Sequence, residues 1–326
     1  MNIENKTLNF LYCFDSNYNS QAYSSIASLL DSIGEKIKIF IIHNDLETLE
    51  DIPAYITNHK FLEDINFYKF THNNIHFPNI DNTHISEATY YRLFIDHYLP
   101  DDISTIIYVD ADMICINDPI SEIRNQIISL KKTEFILSAK TEIKKNEAPE
   151  NLEILMKNSF FKKYWPFERL SIDEKYFNAG FLIIDLDKWR NSKFGEKLLQ
   201  KMRELKNKIV SWDQDVLNSV INGRYVELNK EFNYYMGHYK SDKNLIYFLH
   251  YSGSKKPWTT EGVFSEVSNF YHMNFAKVHN TFFHIEHNWK KHSLKQFINA
   301  VLTFRILKLN NPLIYSKEFI KSLIKE

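Results

Sequence analysis

Residues Thr105 to Val109 form a short β-branched and aromatic run without a charge, and the run ends abruptly in Asp110-Ala111-Asp112. Such a run suits a buried strand. Residues i and i+2 of extended backbone project to one side, so Asp110 and Asp112 leave the strand's carboxyl end together. Open α/β sheets gather their ligands at that edge. Two anions held so close repel each other unless a cation joins them. Hard divalent ions take carboxylate oxygens and share them with substrate phosphates, so the pair points to an enzyme acting on a diphosphate. The plain alternative is a solvated polar turn closed by Asp118-Pro119.

The rest of the chain supplies a matching sheet. Leu8–Cys13, Ile37–Ile42 and Asn66–Phe70 read as strands. Ala22 to Ile33 form a helix between the first two, with Ile26, Leu29, Leu30 and Ile33 at helical spacing and Gly34 as the stop. Glu87 to Tyr98 form another, capped by Ser86, with Tyr91, Phe94, Ile95 and Tyr98 on one face and Pro100 beyond. Glu134–Ala139 and Gly180–Ile184 are further strands, separated by a charged, helix-prone insert from Lys144 to Leu170. Helices over Leu186–Leu205 and Gln214–Ile221 follow, then short strands at Arg224–Leu228 and Leu245–Leu249. Strands alternating with helices predict a doubly wound, mostly parallel sheet with helices on both faces.

Composition narrows the function. A net charge of −1 gives no general attraction to nucleic acid. None of the seven glycines falls in a G-x-G-x-x-G or Walker spacing. A nucleotide bound by this sheet would therefore need a metal where other folds use a glycine loop. Cys13 and Cys115 have no metal-ligand spacing and sit beside apolar runs, which predicts buried free thiols in a reducing cytosol. The N-terminal Met-Asn-Ile-Glu-Asn-Lys lacks the apolar core of a secretory signal. A haloacid-dehalogenase-type phosphatase also ends a strand in Asp-X-Asp, but it places Thr or Val two residues beyond, where this chain has Ile114.

From residue 287 onward the chain becomes basic. Lys290, Lys291, Lys295, Arg305, Lys308, Lys317, Lys321 and Lys325 face only Glu318 and Glu326, with Phe297, Ile298, Val301, Leu302, Phe304, Ile306, Leu307 and Leu309 threaded between them. Basic, amphipathic and aromatic, this tail suits either an interfacial helix on an anionic membrane or a helix packed on the domain.

Other polar blocks complete a pattern: Asp15-Ser-Asn17-Tyr18 after the first strand, His84 to Arg92, Asn178-Ala179-Gly180, Asp213-Gln214-Asp215, and His250 to Trp258. With Asp110-Ala111-Asp112 they resemble, in order over residues 8–260, glycosyltransferase family 8, and most closely its bacterial lipooligosaccharide and lipopolysaccharide α-galactosyltransferases. The resemblance implies a GT-A-type, Rossmann-like α/β domain over residues 1–280 and the tail over 281–326. It implies Mn²⁺, or Mg²⁺, on Asp110, Asp112 and His250. Asp15, Asn17 and Tyr18 would take the uridine, Lys256 the diphosphate, and Gly253 would let the backbone approach it. His84, Arg92 and Ala111 would edge the donor site, with Asn178, Ala179, Asp213 and Gln214 around the donor sugar and Asp215 beside it.

The implied reaction is retaining transfer of a hexose, galactose or glucose, from a UDP-sugar to an oligosaccharide or lipid-linked acceptor of a cell-surface glycan. It would take place in the cytoplasm, on the inner face of the membrane. Where a covalent intermediate would need a carboxylate, this chain has the amide of Gln214, which favours attack from the leaving-group face; Asp213 or Asp215 are the alternatives. One correspondence fails. The family branch carries a carboxylate after the strand at Ala139, where Lys140 and Thr141 stand here. A self-glucosylating, glycogenin-like primer and a non-catalytic UDP-sugar-binding module are the other classes open to this sequence.

Overall fold

The computed structural model describes residues 6–49, 52–71, 75–78, 86–149, 152–239 and 245–324. Its strands are β1 (Leu8–Phe14), β2 (Ile37–His43), β3 (Leu62–Lys69), β4 (Thr105–Val109), β5 (Met113–Cys115), β6 (Leu137–Lys144), β7 (Lys175–Asp185), β8 (Val226–Glu227), β9 (Tyr234–Tyr235) and β10 (Phe248–His250). Seven of them form one sheet in the order β3-β2-β1-β4-β7-β6-β8. The β3–β2, β2–β1, β1–β4 and β6–β8 pairs are parallel, whereas β7 runs antiparallel to both β4 and β6. The expected α/β, mostly parallel, doubly wound architecture is present, with one reversed strand in its middle.

Period-2 geometry explains why these strands read as continuous apolar runs. Leu11, Cys13, Phe40, Ile42, Ile106 and Tyr108 join the core on one face of the sheet. Their alternates Phe10, Tyr12, Ile39, Ile41, Ile107 and Val109 join the core on the other. Each side chain fully buried in this way contributes about 1.5–3 kcal/mol. Both cysteines are buried free thiols, as expected.

Several boundaries move. The first helix spans Asn19–Ser32 and ends in extended backbone at Ile33, so Gly34 is not needed as a left-handed stop. The segment after Ser86 is a 3₁₀ run, Glu87–Phe94, before a short α-turn, Ile95–Tyr98, although Ser86 does cap it by accepting the Ala88 N–H. The helix expected over Leu186–Leu205 is two, Leu186–Asn191 and Phe194–Leu205, broken where Lys193 turns left-handed with φ 51°. Each error has one cause. Sequence periodicity continues across a turn that the backbone does not.

A small second sheet, β5-β10-β9, sits at the carboxyl edge of the first. There β10 pairs antiparallel with β5 so that His250 lies opposite Met113, the residue after Asp112. The strand signal in the sequence stopped at Leu249, yet the register of this pairing is what delivers the imidazole to the carboxylates.

The segment leading to the tail is tied to the domain. Glu286 N–H donates to the Trp258 carbonyl, Gln21 donates to the Glu286 carboxylate at 2.7 Å, and His284 stacks on Phe275 at 4.9 Å. Beyond it the helices Lys290–Leu302 and Pro312–Ile324 share a small core of Val263, Phe283, Ile306, Tyr315 and Phe319. Among the described residues no helix is long and apolar enough to cross a membrane.

The insert is anchored by charge. Arg169, from the short helix Pro166–Leu170, grips Asp215 with both guanidinium nitrogens at 2.6 and 3.1 Å. Asp215 is fully buried and also accepts from Tyr176 and from the backbone N–H groups of Val210 and Ser211. Removing one member of a buried pair leaves the other uncompensated. Arg169→Leu should therefore lower unfolding free energy by about 3 kcal/mol, measured by urea denaturation, and adding Asp215→Asn should recover part of it. An unchanged midpoint for Arg169→Leu would refute this role.

Candidate active site

Asp110 and Asp112 leave β4 as the sequence requires, and each carboxylate is divided between two tasks. Asp110 Oδ1 accepts from Tyr108 Oη at 2.6 Å and lies 3.2 Å from an Arg92 nitrogen. Its Oδ2 is left facing His250 Nε2 at 4.0 Å. Asp112 Oδ2 is held by the Lys256 ammonium, while Oδ1 lies 3.3 Å from His250 Nε2. Burial alone would raise the Asp112 carboxyl, but Lys256 and His250 hold it well below the usual carboxylate range. One oxygen of each aspartate is thus neutralised by a fixed cation, and the other turns toward the imidazole.

The ligand atoms of Asp110, Asp112 and His250 lie within 4.8 Å of one another, close enough for one ion to touch all three. Metal binding also needs His250 to offer Nε2, and the surrounding hydrogen bonds assign the other ring nitrogen. Gly180 N–H donates to Asn178 Oδ1, which fixes the oxygen end of that amide. The same Oδ1 accepts from Asn233 Nδ2 at 2.8 Å, so Asn233 presents its oxygen to His250 Nδ1, also at 2.8 Å. Nδ1 therefore carries a proton, which leaves Nε2 as the ring nitrogen that an ion between the carboxylates would take. A second group that fixes the tautomer in this way is the usual companion of a metal-binding histidine. The set fits a divalent cation. Gly180 has a further role, since a Cβ there would meet the His250 ring at 2.6 Å.

Arg92 is the other organiser. Its guanidinium is buried, stacks 4.1 Å over the Tyr108 ring and donates to the Ala179 carbonyl at 2.6 Å. Its Nε lies 2.8 Å from Asp213, whose other oxygen accepts from Thr89. Burial pushes the Asp213 carboxyl up to about 6, against the opposing pull of Arg92 and Thr89. A raised carboxyl pKa means stability is lost as pH climbs from the ordinary value through about 6. Asp213 is therefore an electrostatic burden that the fold keeps. Ser211 holds the N-cap position of Trp212–Ile221, and Asp213 lies in the first turn of that helix. That turn is strained: Trp212 has φ 46°, a conformation rare for a bulky side chain.

Two contiguous cavities meet at the paired aspartates. One is lined by Asp15, Tyr18, Thr89, Arg92, Ala111 and Lys256. The other, of about 470 Å³, is lined by Asn178, Ala179, Gln214, Asn233, His250 and Gly253 among others. Gly253 has φ 88° with open space around its Cα, a backbone suited to close approach. The loop that carries Lys256 folds back tightly, because a Cβ at Gly262 would meet the Lys256 carbonyl at 2.1 Å.

Two expected residues are placed elsewhere. Asn17 is exposed and its N–H donates to the capping Asp15 carboxylate at 3.0 Å instead of lining the cavity. Asp215, expected beside the sugar pocket as an alternative nucleophile, is corrected to a structural role: it is fully buried with both oxygens engaged by Arg169 and the backbone. His84 lies outside the described residues. Sequence reasoning did not find Asn233, Glu142 or Tyr235, all of which line the larger cavity. Only Gly180, a glycine inside a strand, carried a readable signal of close approach.

Known proteins share the fold that carries this site. A galactosyltransferase, LgtC, solved with donor and acceptor sugar analogues, superposes with a TM-score of 0.66 at 19% identity, covering 83% of this chain and 96% of its own. A "Lipopolysaccharide 1,3-galactosyltransferase" of Salmonella typhimurium is 27% identical over 78% of this chain and 74% of its own length. "General stress protein A" of Bacillus subtilis is 23% identical over 84% of this chain and 96% of its own. The family description "Glycosyl transferase family 8" matches residues 9–262, and the chain belongs to that family.

Proposed function

We propose that this chain moves a hexose from a UDP-hexose to a saccharide acceptor of a cell-surface glycan such as lipooligosaccharide, with retention at the anomeric carbon. The observation that carries the reading is the meeting of the two cavities at Asp110, Asp112, His250 and Lys256. Uridine would lie against Asp15 and Tyr18, the diphosphate at the aspartates, and the sugar toward Asn178 and Gln214. Relatives named for lipopolysaccharide galactosyl and glucosyl transfer support galactose or glucose as the donor hexose.

A divalent cation on Asp110, Asp112 and His250, Mn²⁺ before Mg²⁺ because an imidazole is among the ligands, would offset charge growing on the departing diphosphate. Lys256 adds a second positive charge on the same side, and Arg92 keeps Asp110 oriented. Gln214 is an amide and a poor nucleophile, and it is held in place: its Oε1 accepts the Ala179 N–H and its Nε2 donates to Tyr176 and Glu142. Attack from the leaving-group face, with a phosphate oxygen accepting the acceptor's proton, needs no protein nucleophile.

The tail would hold the enzyme at an anionic membrane on the cytoplasmic side. While Phe297, Ile306, Tyr315 and Phe319 turn inward, Leu302, Phe304, Leu307 and Leu313 are 72, 72, 66 and 85% exposed among lysines. Such an apolar surface beside basic residues matches an interfacial helix pair. The hydrogen bonds of Glu286 to Trp258 and Gln21 support a boundary between catalytic domain and tail somewhat beyond residue 280.

Turnover of UDP-galactose or UDP-glucose should vanish in EDTA and return with Mn²⁺, and Asp110→Ala or Asp112→Ala should each lower it by at least ~100-fold. Full turnover in EDTA would overturn the reading. Gln214→Ala should slow transfer yet leave the anomeric configuration of the product, read by NMR, unchanged; inversion in the variant would contradict its role. Replacing Leu302, Phe304 and Leu307 together by Ser should leave UDP-sugar hydrolysis intact and abolish sedimentation with phosphatidylserine vesicles. Equal sedimentation of the variant and the parent would remove the membrane role.

A further inference from the structure

A carboxylate outside the sequence motifs reaches the larger cavity through a bulge in β6. Strand β6 pairs Thr141 with Phe177 and Ile143 with Tyr176, so Glu142 is an extra residue without a partner in the ladder. Facing it, β7 slips in turn: Ala139 pairs with Leu182 but Lys140 with Asn178. Bulges of this kind re-aim a side chain and often lie beside active sites. Here the bulge delivers Glu142 to the larger cavity, where it is exposed.

Its partners specify a carboxylate. Asn178 has its oxygen fixed by the Gly180 N–H, so its Nδ2 points outward and donates to Glu142 Oε2 at 3.4 Å. Gln214 has its oxygen fixed by the Ala179 N–H, so its Nε2 also donates to Glu142 Oε2, at 3.2 Å. Two backbone N–H groups thus orient two amides so that both present hydrogens to one point. Both hydrogen bonds converge on Oε2, and no bond to Oε1 is made among the described residues. An exposed carboxylate oxygen on the wall of a sugar-sized cavity, with its twin anchored, is an acceptor for a sugar hydroxyl.

We infer that Glu142 is a specificity-determining residue for the donor hexose, accepting a hydroxyl of that sugar through Oε1 while Oε2 locks it to Asn178 and Gln214. The inference rests on the UDP-hexose reading above and goes beyond it, because it assigns hexose recognition to a residue outside every motif in the sequence. Its position differs in kind from Asp110 and Asp112. Those carboxylates are committed to cations, whereas Glu142 is held by neutral amides and keeps its acceptor strength for a neutral ligand.

The test compares binding of UDP, UDP-galactose and UDP-glucose to the full chain with Mn²⁺ by calorimetry, for the parent, Glu142→Ala and Glu142→Gln. Glu142 is exposed, so both variants should fold, which circular dichroism checks. In Glu142→Ala the affinity for UDP should stay constant while that for at least one UDP-hexose falls about tenfold or more, the scale of one hydrogen bond to a charged group. Glu142→Gln should fall between, since its carboxamide keeps an acceptor oxygen. If Glu142→Ala leaves the ratio of UDP-hexose to UDP affinities unchanged, the role of Glu142 is overturned and the transferase reading survives. If the parent binds neither UDP nor UDP-hexose, the transferase reading falls instead.

Discussion

The site depends on one buried guanidinium. Arg92 sits between Asp110 on the sheet and Asp213 on a helix, and it also takes the Ala179 carbonyl and the Thr89 backbone. Two carboxylates in a buried space would otherwise be protonated or driven apart. With Arg92 between them, the end of β4, the Asp213 helix and the bulged corner of β7 are fixed relative to one another. Lys256 performs the equivalent task for Asp112 from the opposite side. The cavity wall is therefore assembled by opposite charges taken in pairs, and the groups that would meet a ligand are the halves of those carboxylates left unpaired.

Much of this was legible in the sequence because the relevant signals are local. A strand ending in Asp-Ala-Asp has only one way to present its carboxylates, and the apolar runs at Leu8 and Ile37 have only one way to be covered on both faces. Asp110 and Asp112 can be named for that reason, whereas Arg92, Lys256, Asn178 and Gln214 follow only from the resemblance to glycosyltransferase family 8. What escaped was set by register. Glu142 is brought to the cavity by a one-residue slip in pairing, and Asn233 by a short strand beside β10; neither has a pattern of its own in the chain. Asp215 misled for the converse reason. It lies two residues from Asp213, but on a helix that offset turns the side chain toward another face, where Arg169 waits.

The relation between the two backbone amides at Ala179 and Gly180 and the three side-chain amides around them is directional. Each N–H fixes which end of Gln214 or Asn178 is the oxygen, and the choice at Asn178 passes through Asn233 to His250. The imidazole tautomer and the grip on Glu142 thus share one origin in the main chain of β7. A sheet irregularity that looks like a defect in the ladder orients both His250 and Glu142.

Gly180 and Gly262 show a different kind of requirement. Neither has a side chain to touch a ligand, yet a single carbon added at Gly180 would occupy the place of the His250 ring, and one at Gly262 would collide with the Lys256 carbonyl. What these positions contribute is emptiness. An aspartate can be exchanged for another side chain that offers an oxygen, whereas no amino acid is smaller than glycine. Gly180 and Gly262 are therefore held to glycine by the space that the His250 ring and the Lys256 backbone occupy.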